Sequence, residues 1–384
     1  MPSSLPTPSI KQIARSNELR MHIQELIHQH DGWLPFDAYM NAVLYTPHLG
    51  YYSNDGSPFS AFADKGDFIT APLLSPLFGA CLAQQAVEVF ERTGTAQIME
   101  IGAGTGRLAA DILAHLGKLG VNVDYSILEL SATLRAEQQA TLADHGQHVT
   151  WLDALPTHFD GVIIGNEVLD AMPVKLIGMK NGTWFERGVT EIDGILSYED
   201  RGTEQYLPMD DEWRDALMTS GGHYLSETHT QQIAFMHSLA NVLRCGAIIM
   251  IDYGFPAHEF YHPQRNTGTL MCHIQHVAHD DGLYFPGVQD ITAHVNFSAL
   301  TKIEGLTPLG YTNQANFLIN NGILNLLTEI EGEQQRIQAN RVSKLLSEAE
   351  MGELFKVMVW GKNLKIDDDD ILIGFERGDR LDTL

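Results

Sequence analysis

Cysteine is scarce and scattered. The 384 residues hold three, Cys81, Cys245 and Cys272, far apart and without a C-x-x-C pair. That argues against a disulfide framework and against a thiolate zinc site, and it points to a reducing compartment. Positive charge is short as well: 24 lysines and arginines stand against 49 acidic residues, a formal net charge of −25. Phosphate backbones are read by basic surfaces, so nucleic acid is not an expected partner, whereas cationic substrates or basic protein segments suit the balance. No apolar run approaches the ~20 residues of a membrane span. The opening MPSSLPTPS has neither the apolar core of a secretory leader nor the arginines of a transit peptide, so the cytoplasm is the expected location. Apolar residues are not lacking. With 44% hydrophobic residues, the chain can bury an ample core in one enlarged domain or two intertwined ones.

The most informative stretch is QIMEIGAGTGR, residues 97–107. A short apolar run stops at Gly102, Gly104 and Gly106, and Leu108, Ala109, Ile112, Leu113 and Leu116 then recur at helical spacing. Strand, tight turn and helix open a nucleotide-binding α/β unit. Arg107 stands where a dinucleotide fingerprint needs its third glycine, and no lysine follows in the position of a triphosphate loop. Glu100 lies just before the first glycine. An acid beside a turn without side chains suits an ammonium or ribose hydroxyls better than a phosphate.

Further strands are expected at 124–130, 149–155, 161–166 and 246–253. Each ends on an acid or beside one: Glu129, Asp153, Glu167 and Asp252. Glu129, roughly 20 residues past the glycines, is placed to accept both ribose hydroxyls of a nucleoside. Helices are expected at 10–30, 36–44, 80–91, 230–243, 293–303, 313–328 and 331–346. Turn signals at Asn181-Gly182 and Asp193-Gly194 mark residues 174–210 as an inserted β-meander. Residues 256–290 show no strong periodicity, and strands are expected at 307–312 and 371–376.

In order along the chain, GYYS, GDFITAP, E-I-G-A-G-T-G, GNEVLDAMPV, IDYG, PGVQDITAHVNFSAL, GYTNQANFLINNGI and MGELFKVM resemble the MidA-like methyltransferase family, over most of the length. Leu73 stands where the family pattern carries a glutamate. The resemblance implies a class I methyltransferase fold: an α/β Rossmann-like, mostly parallel sheet with helices on both faces. An N-terminal helical region (1–95) would precede the catalytic domain (96–384), with insertions at about 174–225, 256–290 and 313–365. It also implies S-adenosyl-L-methionine (SAM) as cofactor and protein arginine methylation as the activity. The partner would then be a protein segment bearing an arginine, with no nucleic acid and no membrane; a homodimer is compatible with it. Rival readings are methylation of a small molecule and a SAM-binding assembly protein without turnover.

On that resemblance Glu100, Gly102, Gly104, Gly106, Glu129 and Asp153 would bind SAM, with Asp153 at the adenine amine. Glu167 and Asp170, three residues apart, would clamp the guanidinium, and Asn166 would add a hydrogen bond. The alternative for Asn166 is a cap on a following helix. Asp67, Tyr51, His273, His276, Asp290 and His294 would face the substrate. The H-x-x-H-x-x-H run (His273, His276, His279) imitates a metal motif, but no cysteine or carboxylate stands at ligand spacing, so no metal is expected.

Overall fold

The chain's apolar runs become the strands of one sheet. In the computed structural model, which describes residues 5–54, 70–365 and 370–384, seven strands form its main path. They are β1 (Gln97–Ile101), β2 (Asp124–Leu128), β3 (Val149–Leu152), β4 (Phe159–Asn166), β5 (Leu243–Phe255), β6 (Thr307–Asn313) and β7 (Phe355–Lys362). Their order is β3-β2-β1-β4-β5-β7-β6. Pairs from β3 through β5 are parallel, and β7 runs antiparallel to both of its neighbours. Ile163, Ile249, Val357 and Trp360 are fully buried, as strands covered on both faces require. The strand order reverses between β1 and β4, and at such a switch point open α/β sheets bind ligands, beyond the carboxyl ends.

Three helices matter to that edge: α1 (Pro76–Thr93), α2 (Arg107–Lys118) and α3 (Ala132–Thr141). The first starts four residues earlier than apolar spacing suggests. Ser75 caps it, its Oγ accepting from the Leu77 amide, and Pro76 takes the one position where a missing N–H costs nothing.

By their contacts the residues divide into two units. The sheet unit draws on Ile69–Leu169, Phe235–Gly254 and Leu300–Leu384, the other on Met1–Phe68, Asp170–Ala234 and Phe255–Ala299. Helix α1 therefore belongs with the sheet, whereas the sequence reading carried the N-terminal region to residue 95. In the other unit, helix Ile10–Gln29 opens on a capping box of Ser9 and Gln12 and buries Leu19, Ile23 and Ile27. The meander is Lys175–Lys180, Thr183–Ile192 and Ile195–Gly202. Both of its turns have positive φ at both central residues (51° and 74°, 51° and 81°), the geometry that follows strand twist. Leu34–Pro35 and His223–Thr228 flank it.

Three expectations fail for identifiable reasons. Residues 293–303 are not a helix but a two-residue strand and a 3-10 turn, Phe297–Leu300; a short, mostly apolar run has no telling period. The helix expected at 313–328 is two, Gln314–Asn320 and Ile323–Thr328, parted at Gly322 with φ 79°. Residues 371–376 are not a strand. The Ile373 and Gly374 amides donate to Glu88 Oε2 and Gln85 Oε1 on α1, which leaves a 3-10 turn, Ile373–Phe375. The segment 256–290, which shows no strong periodicity, holds only short elements: helix Ala257–Phe260 and the strands Met271–Ile274 and Val277–His279, with Asp290–Thr292 pairing beside them.

Two glycines set how closely β1, β4 and β5 approach. A Cβ on Gly246 (φ 146°) would lie 1.8 Å from the Gly161 carbonyl oxygen, and one on Gly161 (φ 128°) 2.3 Å from that of Gln97. Gly246→Ala should therefore cost about 3 kcal/mol or more. Urea unfolding checks this; a loss under about 1 kcal/mol would mean that the strands part freely.

Candidate functional site

Each parallel strand near the switch point delivers a polar residue to the carboxyl edge. Glu100, in β1, is 2% exposed and accepts from the Tyr125 hydroxyl at 2.7 Å. Burial pushes its pKa up to about 7; the tyrosine bond opposes this and the Glu129 charge adds to it. Just past β2, Glu129 is 8% exposed. Its Oε1 accepts from the Ser131 amide (2.8 Å) and its Oε2 from Gln138 Nε2 (2.9 Å). Burial raises this pKa too, against those hydrogen bonds. Leu130, next along, is 82% exposed. Asp153, past β3, has its side chain 89% exposed and paired with Arg135 at 2.7 Å. The same guanidinium holds the carbonyls of Glu129 and Leu152, tying two strand ends together.

Between β1 and α2 the chain turns through Gly102, Gly104 and Gly106, at φ 62°, 52° and 80°. Three left-handed positions within five residues require glycine and leave bare backbone. Arg107 turns away to Asp111 at 2.9 Å.

At the end of β4 sits Asn166, whose Nδ2 donates to Glu167 Oε1 at 2.9 Å. Its Oδ1 is buried with no hydrogen-bond partner among the described residues. No helix follows, so the capping alternative for Asn166 falls. Glu167 has φ 54°, an uncommon conformation for a non-glycine residue and one that the surroundings must hold. They do: its amide donates to the Ile251 carbonyl at 2.9 Å, and Asp252 Oδ2 accepts from the next two amides, Val168 and Leu169.

In the other unit, Asp170 is 4% exposed and its carbonyl accepts from the Ala293 amide. Asp290, 1% exposed, accepts the Tyr52 hydroxyl on both oxygens, at 2.9 and 3.0 Å. The Tyr52 ring stacks on Tyr45 and meets Tyr51 edge-on. His273 lies opposite Asp290 in register. His294 stacks on Phe255, with rings 5.3 Å apart and nearly parallel, and its carbonyl accepts from His229. Burial holds the His229 pKa down to about 4, so that ring is neutral. His276 sits in a two-residue hairpin turn with Gln275, at φ 63° and 48°. Register puts His273 opposite Ala278, and His279 opposite Cys272; the first and last histidines thus point to opposite faces of the ribbon, not to one helix face. Among the described residues no three His, Cys, Asp or Glu side chains could hold a metal ion. Asp67 lies outside the described residues.

Residues 81–312, more than half of the chain, match the model of a family described as "Putative S-adenosyl-L-methionine-dependent methyltransferase". The chain belongs to this methyltransferase family. A crystal structure from Burkholderia thailandensis with bound S-adenosyl-homocysteine is 45% identical, covering 99% of this chain and 100% of that one at a TM-score of 0.89. The Homo sapiens protein arginine methyltransferase NDUFAF7, mitochondrial, is 28% identical, over 84% of this chain and 79% of its own length. The Caenorhabditis elegans homologue is 26% identical, over 83% and 80%. The fold is accordingly that of class I methyltransferases, and the cofactor is SAM.

The methyltransferase's strand ends suit that molecule chemically. Buried carboxylates beside bare backbone accept from hydroxyls and an ammonium, and the only cation of the turn, Arg107, is already engaged by Asp111, so a pyrophosphate would find no charge partner there. Sequence reasoning missed three residues that brace this edge: Gln138 and Trp151, which orient Glu129, and Asp252 as an anchor of the Glu167 turn. Only the strand-end position of Asp252 was visible beforehand.

Glu100 gives this edge a pH signature. Unfolded, it ionises near 4.5; folded, it keeps its proton to about 7. The folded state then binds more protons across that window, so stability falls as pH rises through it, by about 3 kcal/mol in all. Glu100→Gln keeps an acceptor for Tyr125 and removes the titration. Its stability relative to the parent, both without cofactor, should rise by about that amount between pH 4.5 and 8. Urea unfolding at matched pH checks this; a difference independent of pH would contradict it.

Proposed function

We propose that the chain is a protein arginine N-methyltransferase in which Glu167 receives the guanidinium. The observation that carries this is Glu167 itself: a carboxylate at the switch point, kept in a left-handed conformation by Ile251 and Asp252. Support comes also from the arginine methyltransferase names of the curated relatives and from the acidic balance of the chain. In this reading Glu100 and the glycines 102, 104 and 106 meet the methionine part of SAM. Glu129 takes the ribose hydroxyls, Leu130 offers an apolar surface to the adenine, and Asp153 faces its amine. By the sequence resemblance Asp170 would share the guanidinium clamp with Glu167, and Asp67, Tyr51, His273, His276, Asp290 and His294 would face the substrate.

SAM supplies a methyl group activated as a sulfonium. The protein's part is positioning, because an in-line displacement needs little covalent help. A guanidinium has pKa above ~12 and a delocalised lone pair. Glu167 can accept two of its N–H groups side by side, fixing the plane and concentrating density on the nitrogen that is methylated. As the N–C bond forms and the S–C bond breaks, one N–H proton leaves, and Glu167 accepts it. Asn166 steadies Glu167 through Nδ2 and presents Oδ1 to a further N–H.

Glu167→Gln keeps shape but loses charge and basicity. Methyl transfer should fall by about two to four orders of magnitude while SAM binds as before. Single-turnover assays with labelled SAM on lysate protein, followed by mass spectrometry of the labelled peptides, test both claims. Label on arginine that disappears with Glu167→Gln supports the proposal. Label confined to small molecules, or normal turnover by the variant, overturns it.

A further inference from the structure

Gln138, on α3, is fully buried, and the side-chain amide uses every kind of hydrogen bond it can make. Nε2 donates to the Gly104 carbonyl at 3.0 Å and to Glu129 Oε2 at 2.9 Å, while Oε1 accepts the Trp151 indole N–H at 3.0 Å. An indole N–H only donates, so Trp151 fixes which way the amide faces and turns both of its N–H groups toward the carbonyl and the carboxylate. The helix reaches the turn because Gly106 has no side chain; a Cβ there would lie 3.2 Å from Gln138 Cα. One side chain thus joins β1's glycine turn, the acid after β2 and strand β3.

We propose that Gln138 is the positioning residue of the cofactor site, locking the glycine turn to Glu129 in an orientation that Trp151 sets. The proposal rests on the reading of Glu129 as the ribose acceptor. The amide acts through others: it holds the Glu129 carboxylate by one oxygen and orients the rest of its lone pairs, and it keeps the Gly104 peptide from rotating. It also supplies a charge-assisted donor to a buried acid whose ionised form burial disfavours.

The test is calorimetric titration of the full-length protein with S-adenosyl-homocysteine between pH 5.5 and 8, using Gln138→Glu, Gln138→Met, Trp151→Phe and Glu129→Ala. At pH 8, Gln138→Glu can still accept from Trp151 but faces Glu129 with a second carboxylate. Affinity should drop by about 10- to 100-fold and recover as pH falls and the pair takes up a shared proton. Gln138→Met should lose about tenfold at every pH, and Trp151→Phe less, for want of orientation alone. A space-filling role would lower melting temperature yet leave the folded fraction binding normally, with no pH-dependent recovery. Wild-type affinity for Gln138→Glu and Gln138→Met at pH 8 overturns the inference, as does a Gln138→Glu deficit equal at all pH values. Unchanged binding by Glu129→Ala would instead overturn the ribose assignment beneath it.

Discussion

The carboxyl edge of this sheet depends on burying acids that keep their hydrogen-bond donors. Glu100, Glu129 and Asp252 are each under a tenth exposed, and a lone buried carboxylate would cost several kcal/mol. Each is held differently: Glu100 by a tyrosine hydroxyl, Glu129 by a backbone amide and Gln138, Asp252 by the amides that follow Glu167. The other unit repeats the device. There Glu227, fully buried, accepts from the amides of Thr269 and Leu270. Removing one partner in such a pair costs more than the bond itself is worth, because the charge is left behind.

That constraint gives the proposed chemistry its order. A methyl transfer enzyme needs positioning more than reactive groups, and the buried acids convert strand ends into fixed points. Asp252 serves the turn that carries Glu167, Gln138 serves the acid assigned to ribose, and Arg135 ties the ends of β2 and β3. The three glycines of the turn between them add no side chain, and Ala103 and Thr105 add no charge, so the neighbouring acids weigh most in what can bind.

What could be read from the sequence was local. Glycines at 102, 104 and 106, acids at the ends of apolar runs and the Asn181-Gly182 and Asp193-Gly194 turns announce themselves because φ and strand period are properties of a few adjacent residues. The carriers of longer reach did not show. Gln138 on a helix is indistinguishable from a solvated glutamine until Trp151 and Gly104 are brought to it. Gln85 and Glu88 take the amides of residues 373 and 374 from nearly 290 positions away along the chain, which turned an expected strand into a 3-10 turn. The spacing of His273 and His279 imitates a metal motif in the sequence, and only strand pairing shows that the two point to opposite faces.

In the proposed function SAM lies over the glycine turn and beside Glu129 and Glu167. Amide hydrogen exchange of the full chain, with and without saturating SAM, tests it most directly, since binding slows exchange only where the native state is held closed. Exchange should slow at residues 102–106, 129–138 and 166–169. Slowing confined to other segments, with those three unchanged, would contradict it.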